Sequence, residues 1–257
     1  MQLAYLFQLL TNENDKQEIA ILAQAEAFVD DLLITFQKHN TQHHFQLKTS
    51  PTISWGNSDK SISDDFYKQK ILNDDSGIDK TRTVLVCSNE EKTLHLKKNI
   101  PLKIAGFSDI IFFPEAETIN HLILINNDFK TLIERICFSN DIDKLEALAK
   151  LIFGHWVDKK TTLSSVNEFL LSLEEMFPNY LAKSNVAENL LPEVERIFSM
   201  ITGFSFKIEK GYFNWKYHDF DSGTIPYSVD SKEFTAFQQE VTSKYPKQFD
   251  ELEGILL

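Results

Sequence analysis

The chain has 257 residues, of which 42% are hydrophobic and 25% charged, a globular composition that allows one large domain or two small ones with a substantial core. Its formal net charge of -12 excludes a general nucleic-acid coat, which needs clustered Lys and Arg, but leaves room for an enzyme with one local basic groove. Its two cysteines, Cys87 and Cys137, sit in apolar runs and offer neither a disulfide framework nor zinc spacing, so they read as buried thiols in a reducing compartment.

The opening MQLAYLFQLLTNEN lacks the basic start and small-residue cleavage site of a signal peptide, and no apolar run approaches the ~20 residues needed to span a bilayer. A cytoplasmic protein without membrane association is expected. Residues 2–24 carry a helical stripe, Leu3, Leu6, Phe7 and Leu10, continued by Ile19, Leu22 and Ala23 after an interruption at 12–15. A strand, LLITF, follows Asp30-Asp31; His39, Asn40 and Thr41 supply a turn; a second strand ends in Gln46-Leu47-Lys48. Residues 50–77 form a polar excursion anchored by Trp55 and Phe66, with a helix over 64–72. TVLVCS, DIIFF and HLILI read as strands. Residues 131–156 are helical with a break and cap at 139–141, and Ser164 or Ser165 caps a further helix that Pro178 ends. PEVERIFSMITG is helical, FSFKIEKGYFNWKYH is a hairpin turning at Lys210-Gly211, and the tail 231–257 is helical. The composition shifts near Lys160. The expected architecture is α/β: a mixed sheet flanked by helices over 1–160, then a mainly helical portion with a β-hairpin over 161–257.

One constellation carries chemistry. Gln46 and Lys48 are two apart on a strand and project to one face, while Asp31 opens the facing strand, across a ladder spaced about 5 Å. A carboxylate that holds a hard cation through oxygen, beside a lysine that balances charge at a phosphate, is the equipment of metal-dependent phosphodiester hydrolysis. Asp30 competes with Asp31 for the metal role, and strand parity leaves the choice open. The stretch KTLHLKKNIPLK holds Lys92, Lys97, Lys98 and Lys103 with His95 and is a candidate DNA-binding groove; the bland alternative is a solvated strand edge.

The order helix, strand with Asp, strand with Gln-x-Lys, then helix resembles the PD-(D/E)xK nuclease superfamily. Asp-Asp before a hydrophobic strand, then FQLKTS and a Trp soon after, is most similar to the nuclease domains of bacterial antiphage effectors, the CD-NTase-associated and Lamassu-type endonucleases. TRTVLVCS and LAKLIFGHW resemble later elements of that domain, so the likeness covers roughly residues 1–100 closely and 1–160 loosely. It implies a restriction-endonuclease-like fold and DNA as substrate. It also implies a Mg²⁺ or Mn²⁺ cofactor and catalytic Asp31, Gln46 and Lys48. Asp31 would be the metal ligand, Asp30 its competitor and Glu26 an additional acid. Gln46 departs from the acidic residue usual at its position. The likeness further implies a defence complex in which residues 161–257 serve assembly, as a homo- or hetero-oligomer or with an SMC-like ATPase or another subunit. A noncatalytic adaptor or inhibitory subunit that keeps the nuclease-like fold is the alternative.

Other patterns carry less. Asp109, Asp128 and Lys130 repeat an Asp…Asp-x-Lys order, but Asp128 falls in a loop beyond its strand. His39, His43 and His44 lack further ligands at zinc spacing, although His44 can line the site beside Gln46. No Gly-rich phosphate loop and no Gly-x-Ser-x-Gly elbow is present. The aromatics Phe204, Phe206, Tyr212, Phe213, Trp215 and Tyr217 suit base stacking or a protein-binding face, or supply a core on one side of the hairpin.

Overall fold

The structure is a computed structural model that describes residues 1–11, 18–50, 52–56, 58–159, 164–183, 190–218 and 220–256. It divides into two compact units, Met1–Ile133 with Glu146–Met176, and Glu134–Leu145 with Phe177–Leu257. The boundary expected near Lys160 and the helix break expected at 12–15 lie outside the described residues.

In the first unit, helix α1 (Gln2–Thr11) precedes three strands, β1 (Ile19–Ala23), β2 (Leu32–Phe36) and β3 (Thr41–Lys48), that form an antiparallel meander. A short 3₁₀ turn, Gln37–His39, and Asn40 in the left-handed region (φ 42°) join β2 to β3. Helix α2 (Ile62–Asp75) then crosses over, so that β4 (Lys80–Cys87) runs parallel to β3. Helix α3 (Glu90–Lys98) repeats the crossover to β5 (Ser108–Phe112), parallel to β4. The sheet order is β5-β4-β3-β2-β1-β6, where β6 is the two-residue strand Ser164–Ser165 beside β1. Helices α4 (Ile119–Ile125), α5 (Asn127–Ile136), α6 (Ile142–Lys159) and α7 (Val166–Met176) complete the run, except that the end of α5 and the start of α6, within 134–145, belong to the second unit. The mixed sheet flanked by helices is thus the expected α/β arrangement. Among the described residues no helix is long and apolar enough to cross a membrane.

Local chemistry explains most boundaries. Ser61 caps α2 by accepting from the Asp64 N–H, and Asn89 caps α3 by accepting from that of Lys92. Ser165 and Glu168 cap α7 reciprocally, each side chain accepting the other's backbone N–H. Central strands such as β4 read TVLVC because both faces are covered. Val29, Trp55, Phe66, Leu85, Cys87, Leu96 and Ile110 form one core cluster, which places α2 and α3 on the sheet face that carries Leu85 and Cys87.

Three expectations are corrected. The run 19–23 is strand β1, not the end of the first helix: IAILA is apolar at every position, and burial in the sheet decides what periodicity cannot. HLILI belongs to helix α4, because Thr118 caps it by accepting from the His121 N–H and only Ile123 of the run is buried. The lysine-bearing stretch from 92 begins as helix α3, not as a strand edge.

The second unit holds α8 (Pro192–Met200), the antiparallel sheet β7 (Phe204–Glu209), β8 (Tyr212–Tyr217), β9 (Asp221–Ser228), then α9 (Lys232–Lys244) and α10 (Phe249–Leu256). Lys210 and Gly211 both have positive φ (56° and 79°), the geometry a two-residue hairpin turn matches to strand twist. The Lys210 ammonium donates to the Glu134 carbonyl, near the end of α5, and to Asn140. Phe213 and Trp215 are buried among Val194, Phe198, Phe234 and Phe237, with Phe204, Phe206 and Tyr217 packed against them. Tyr212 is also buried and donates to the Pro178 and Leu181 carbonyls. These aromatics therefore go to the core. Strand β9, which the sequence reading lacks, contains Gly223 and Pro226; it is an edge strand, where a missing N–H is tolerated.

Candidate functional site

The β2–β3 ladder pairs Leu32 with Phe45, and one step further Asp31 meets Gln46. The Asp31 Oδ2 accepts from Gln46 Nε2 at 2.5 Å and from the Leu47 backbone N–H at 2.7 Å. The main chain of Asp31 is held too, its carbonyl accepting from Gln2 Nε2 at 2.7 Å. Of the two aspartates, Asp31 is the one whose carboxylate contacts Gln46. Asp30 instead uses its carbonyl to accept from the Ala25 N–H, closing the loop between β1 and β2. Glu26 is exposed on that loop.

Lys48 follows on the same strand face as Gln46, exposed at the end of β3 and opposite Cys87 of β4. It helps line a cavity of about 250 Å³ with Thr49, Cys87, Ser88 and Glu115 at the carboxyl ends of the parallel strands. Its charge reaches Asp65 in the first turn of α2. Burial raises the Asp65 carboxyl above its ordinary value, and Asp64 and Asp30 push the same way while Lys68 and Lys48 oppose them. Asp65 and Lys68 thus belong to the site's electrostatics although the sequence reading passed over them. Their only signal was an acidic first turn on a helix that returns to the Gln-x-Lys strand.

Inward from Gln46, His44 is 2% exposed and does not open onto the site. Its Nδ1 faces the Val29 carbonyl at 3.4 Å, and its Nε2 meets Asn73 Nδ2 at 3.1 Å and Gln42 Oε1 at 3.2 Å. Burial drives its pKa from 6.5 to about 4 despite the opposing bonds from Val29 and Asn73. A depressed folded-state pKa means that the unfolded chain takes up the proton first. The stability His44 contributes is whole above pH 6.5 and lost as pH falls through about 4. We expect acidification from pH 7.5 to 4.5 to cost roughly 2 kcal/mol through this group, with a His44→Phe variant losing less over the same interval. Thermal melts at the two pH values check it; equal losses would contradict it.

The four lysines expected to bind DNA do not share one face. On α3, Lys97 and Lys98 lie about 140° and 240° around the helix from Lys92. Lys97 pairs with Asp109 at 3.6 Å, and the Lys103 ammonium sits 5.8 Å over the Tyr67 ring beside α2. The Asp109–Asp128–Lys130 order does not converge as a strand pair either. Asp109 on β5 is engaged by Arg82, and Asp128 and Lys130 both lie on α5.

Among the described residues no three His, Cys, Asp or Glu side chains converge as a metal cage, so Asp30 and Glu26 do not join Asp31 in one, nor do His39, His43 and His44 form a zinc site. The remaining donor set still suits a hard cation. Mg²⁺ takes oxygen ligands, keeps several waters and is held by one or two carboxylates completed by substrate phosphates. Asp31 supplies a carboxylate and Gln46 a neutral amide oxygen, although Gln46 now turns its N–H toward Asp31. Comparison with family models, curated proteins and solved structures finds no match to this chain.

Proposed function

We propose that the first unit is a Mg²⁺- or Mn²⁺-dependent DNA endonuclease, acting as a subunit of a bacterial antiphage defence complex. The observation that supports this reading is the direct contact of Asp31 with Gln46, with Lys48 two residues on and facing the same side. Strand β2 behind Asp31, strand β3 with Gln46 and Lys48, then helix α2 keep the order on which the PD-(D/E)xK resemblance rests, with strand β1 standing between them and α1. Asp31 and Gln46 would hold the cation. When bound, it would polarise the phosphate and acidify a water. The Lys48 ammonium balances charge developing on the phosphate oxygens, and the Asp65 carboxylate on α2 lies within reach of its charge. A chain of net charge -12 with scattered lysines is a weak DNA binder by itself. Activity then depends on assembly, with further copies or with a basic partner such as an SMC-like ATPase.

Lys48→Ala tests the assignment. With Mg²⁺ and its partner present, the variant should cut DNA about 10²-fold more slowly, the loss usual for one transition-state donor. Equal cutting by both proteins would refute it.

A second reading, a noncatalytic adaptor with a nuclease-like fold, is favoured by the neutral Gln46, whose amide already occupies the Asp31 carboxylate. It is the better account if calorimetry detects no Mn²⁺ binding while the partner is still retained.

A further inference from the structure

The Asp31 carboxylate is well placed only if the chain entering β2 is fixed, and that chain is loop, not ladder. Two glutamines on different helices hold it. Gln69 of α2 is 1% exposed, and its Oε1 accepts the backbone N–H groups of Phe28 (3.0 Å) and Val29 (3.3 Å). Its Nε2 donates to Asn73 Oδ1 at 2.9 Å. Asn73 passes the constraint on, donating to Thr81 Oγ1 on β4 and to His44 Nε2 on β3. His44, through Nδ1, returns to the Val29 carbonyl. Both polar ends of the Val29 peptide neighbourhood are thereby tied to the sheet through side chains. Two residues on, Gln2 of α1 takes the Asp31 carbonyl, and its Oε1 accepts from the Trp156 indole N–H at 3.2 Å.

Such a relay is costly unless complete. A buried N–H left without an acceptor costs its full desolvation, about 1–3 kcal/mol, so α2 cannot shed Gln69 without moving the 28–31 segment. Apolar packing would secure the loop without this risk; amide bonds of fixed direction add orientation. We infer that Gln69, with Gln2 as its counterpart on α1, is a positioning residue that aims Asp31 at Gln46 and Leu47. The consequence for catalysis rests on the nuclease reading, while the positioning itself does not.

The Leu47 N–H reports the aim directly, because it donates to the Asp31 carboxylate. In the full chain, Gln69→Leu keeps side-chain volume and removes both polar ends. Hydrogen exchange at Leu47 should speed up by roughly tenfold, the effect of losing a buried acceptor. Thr81→Val is the control: it strips the same relay of its β4 partner without touching the 28–29 backbone. It should leave Leu47 protected even where its thermal midpoint falls as far. If Gln69→Leu does not fold, Gln2→Leu takes its place with the same readout. With Mg²⁺, Gln69→Leu should lower kcat and raise the Mg²⁺ needed for half-maximal cutting, whereas Thr81→Val should do neither. Unchanged exchange at Leu47, or equal acceleration in variant and control, overturns the inference. Faster exchange at Leu47 in Gln69→Leu alone, together with an unmodified protein that never cuts DNA, upholds the positioning and removes the nuclease reading.

Discussion

Under the proposed nuclease reading, Asp31→Ala should reduce Mg²⁺-dependent DNA cleavage by about 10³-fold or more, equivalent to roughly 4 kcal/mol of transition-state stabilisation. The loss exceeds that expected for Lys48 because this carboxylate is the one anionic oxygen donor that the β2–β3 pairing brings against Gln46. The variant should also lose roughly 1–3 kcal/mol of stability, since the Leu47 N–H and the Gln46 amide are left without their acceptor. Asp30→Ala is the informative companion. Asp30 secures the loop through its carbonyl, which alanine retains, so cutting should stay within about tenfold of the parent. Cleavage rates for both variants, with Mn²⁺ titration calorimetry, separate the two acids. A vigorous Asp31→Ala enzyme would remove that carboxylate from the chemistry.

The largest stability effect is expected in the second unit. Phe198 is 1% exposed and meets four other rings, Phe204, Phe206, Phe213 and Phe237, at centroid separations of 5.1, 5.5, 5.5 and 6.4 Å. Truncation to Ala removes a ring at the junction of α8, β7, β8 and α9, and large neighbouring rings cannot close the void by small shifts. A loss of about 3–5 kcal/mol is expected, a large fraction of the roughly 5–15 kcal/mol of a typical fold. Urea unfolding of the full chain measures it. A loss under about 1 kcal/mol would show that the surrounding aromatics repack freely.

The parts of the fold that local chemistry determines were legible in the sequence. The β2 and β3 strands, the turn at Asn40, the hairpin at Lys210-Gly211 and the cap at Ser165 are each set by a few adjacent residues, and each stands where it was expected. What was not legible depends on distant packing. IAILA has no periodicity of its own, and it becomes a strand because β2 and β6 flank it. Ile119–Ile125 carries β-prone residues, yet its cap outweighs their propensity. At the candidate site, period-two spacing put Gln46 and Lys48 on one face. Choosing Asp31 over Asp30 needed the register, and finding Gln69 or Asp65 needed the return of α2 over the strand. The lysines of α3 are dispersed for the same reason: a run adjacent in sequence spreads around the axis once wound into a helix.

One of the two donors to the Asp31 carboxylate is a peptide N–H, that of Leu47, which no replacement by any residue except proline can delete. The acid therefore keeps one of its two bonds whatever side chain stands at 46, and a substitution there tests the chemistry of that side chain without casting the carboxylate loose.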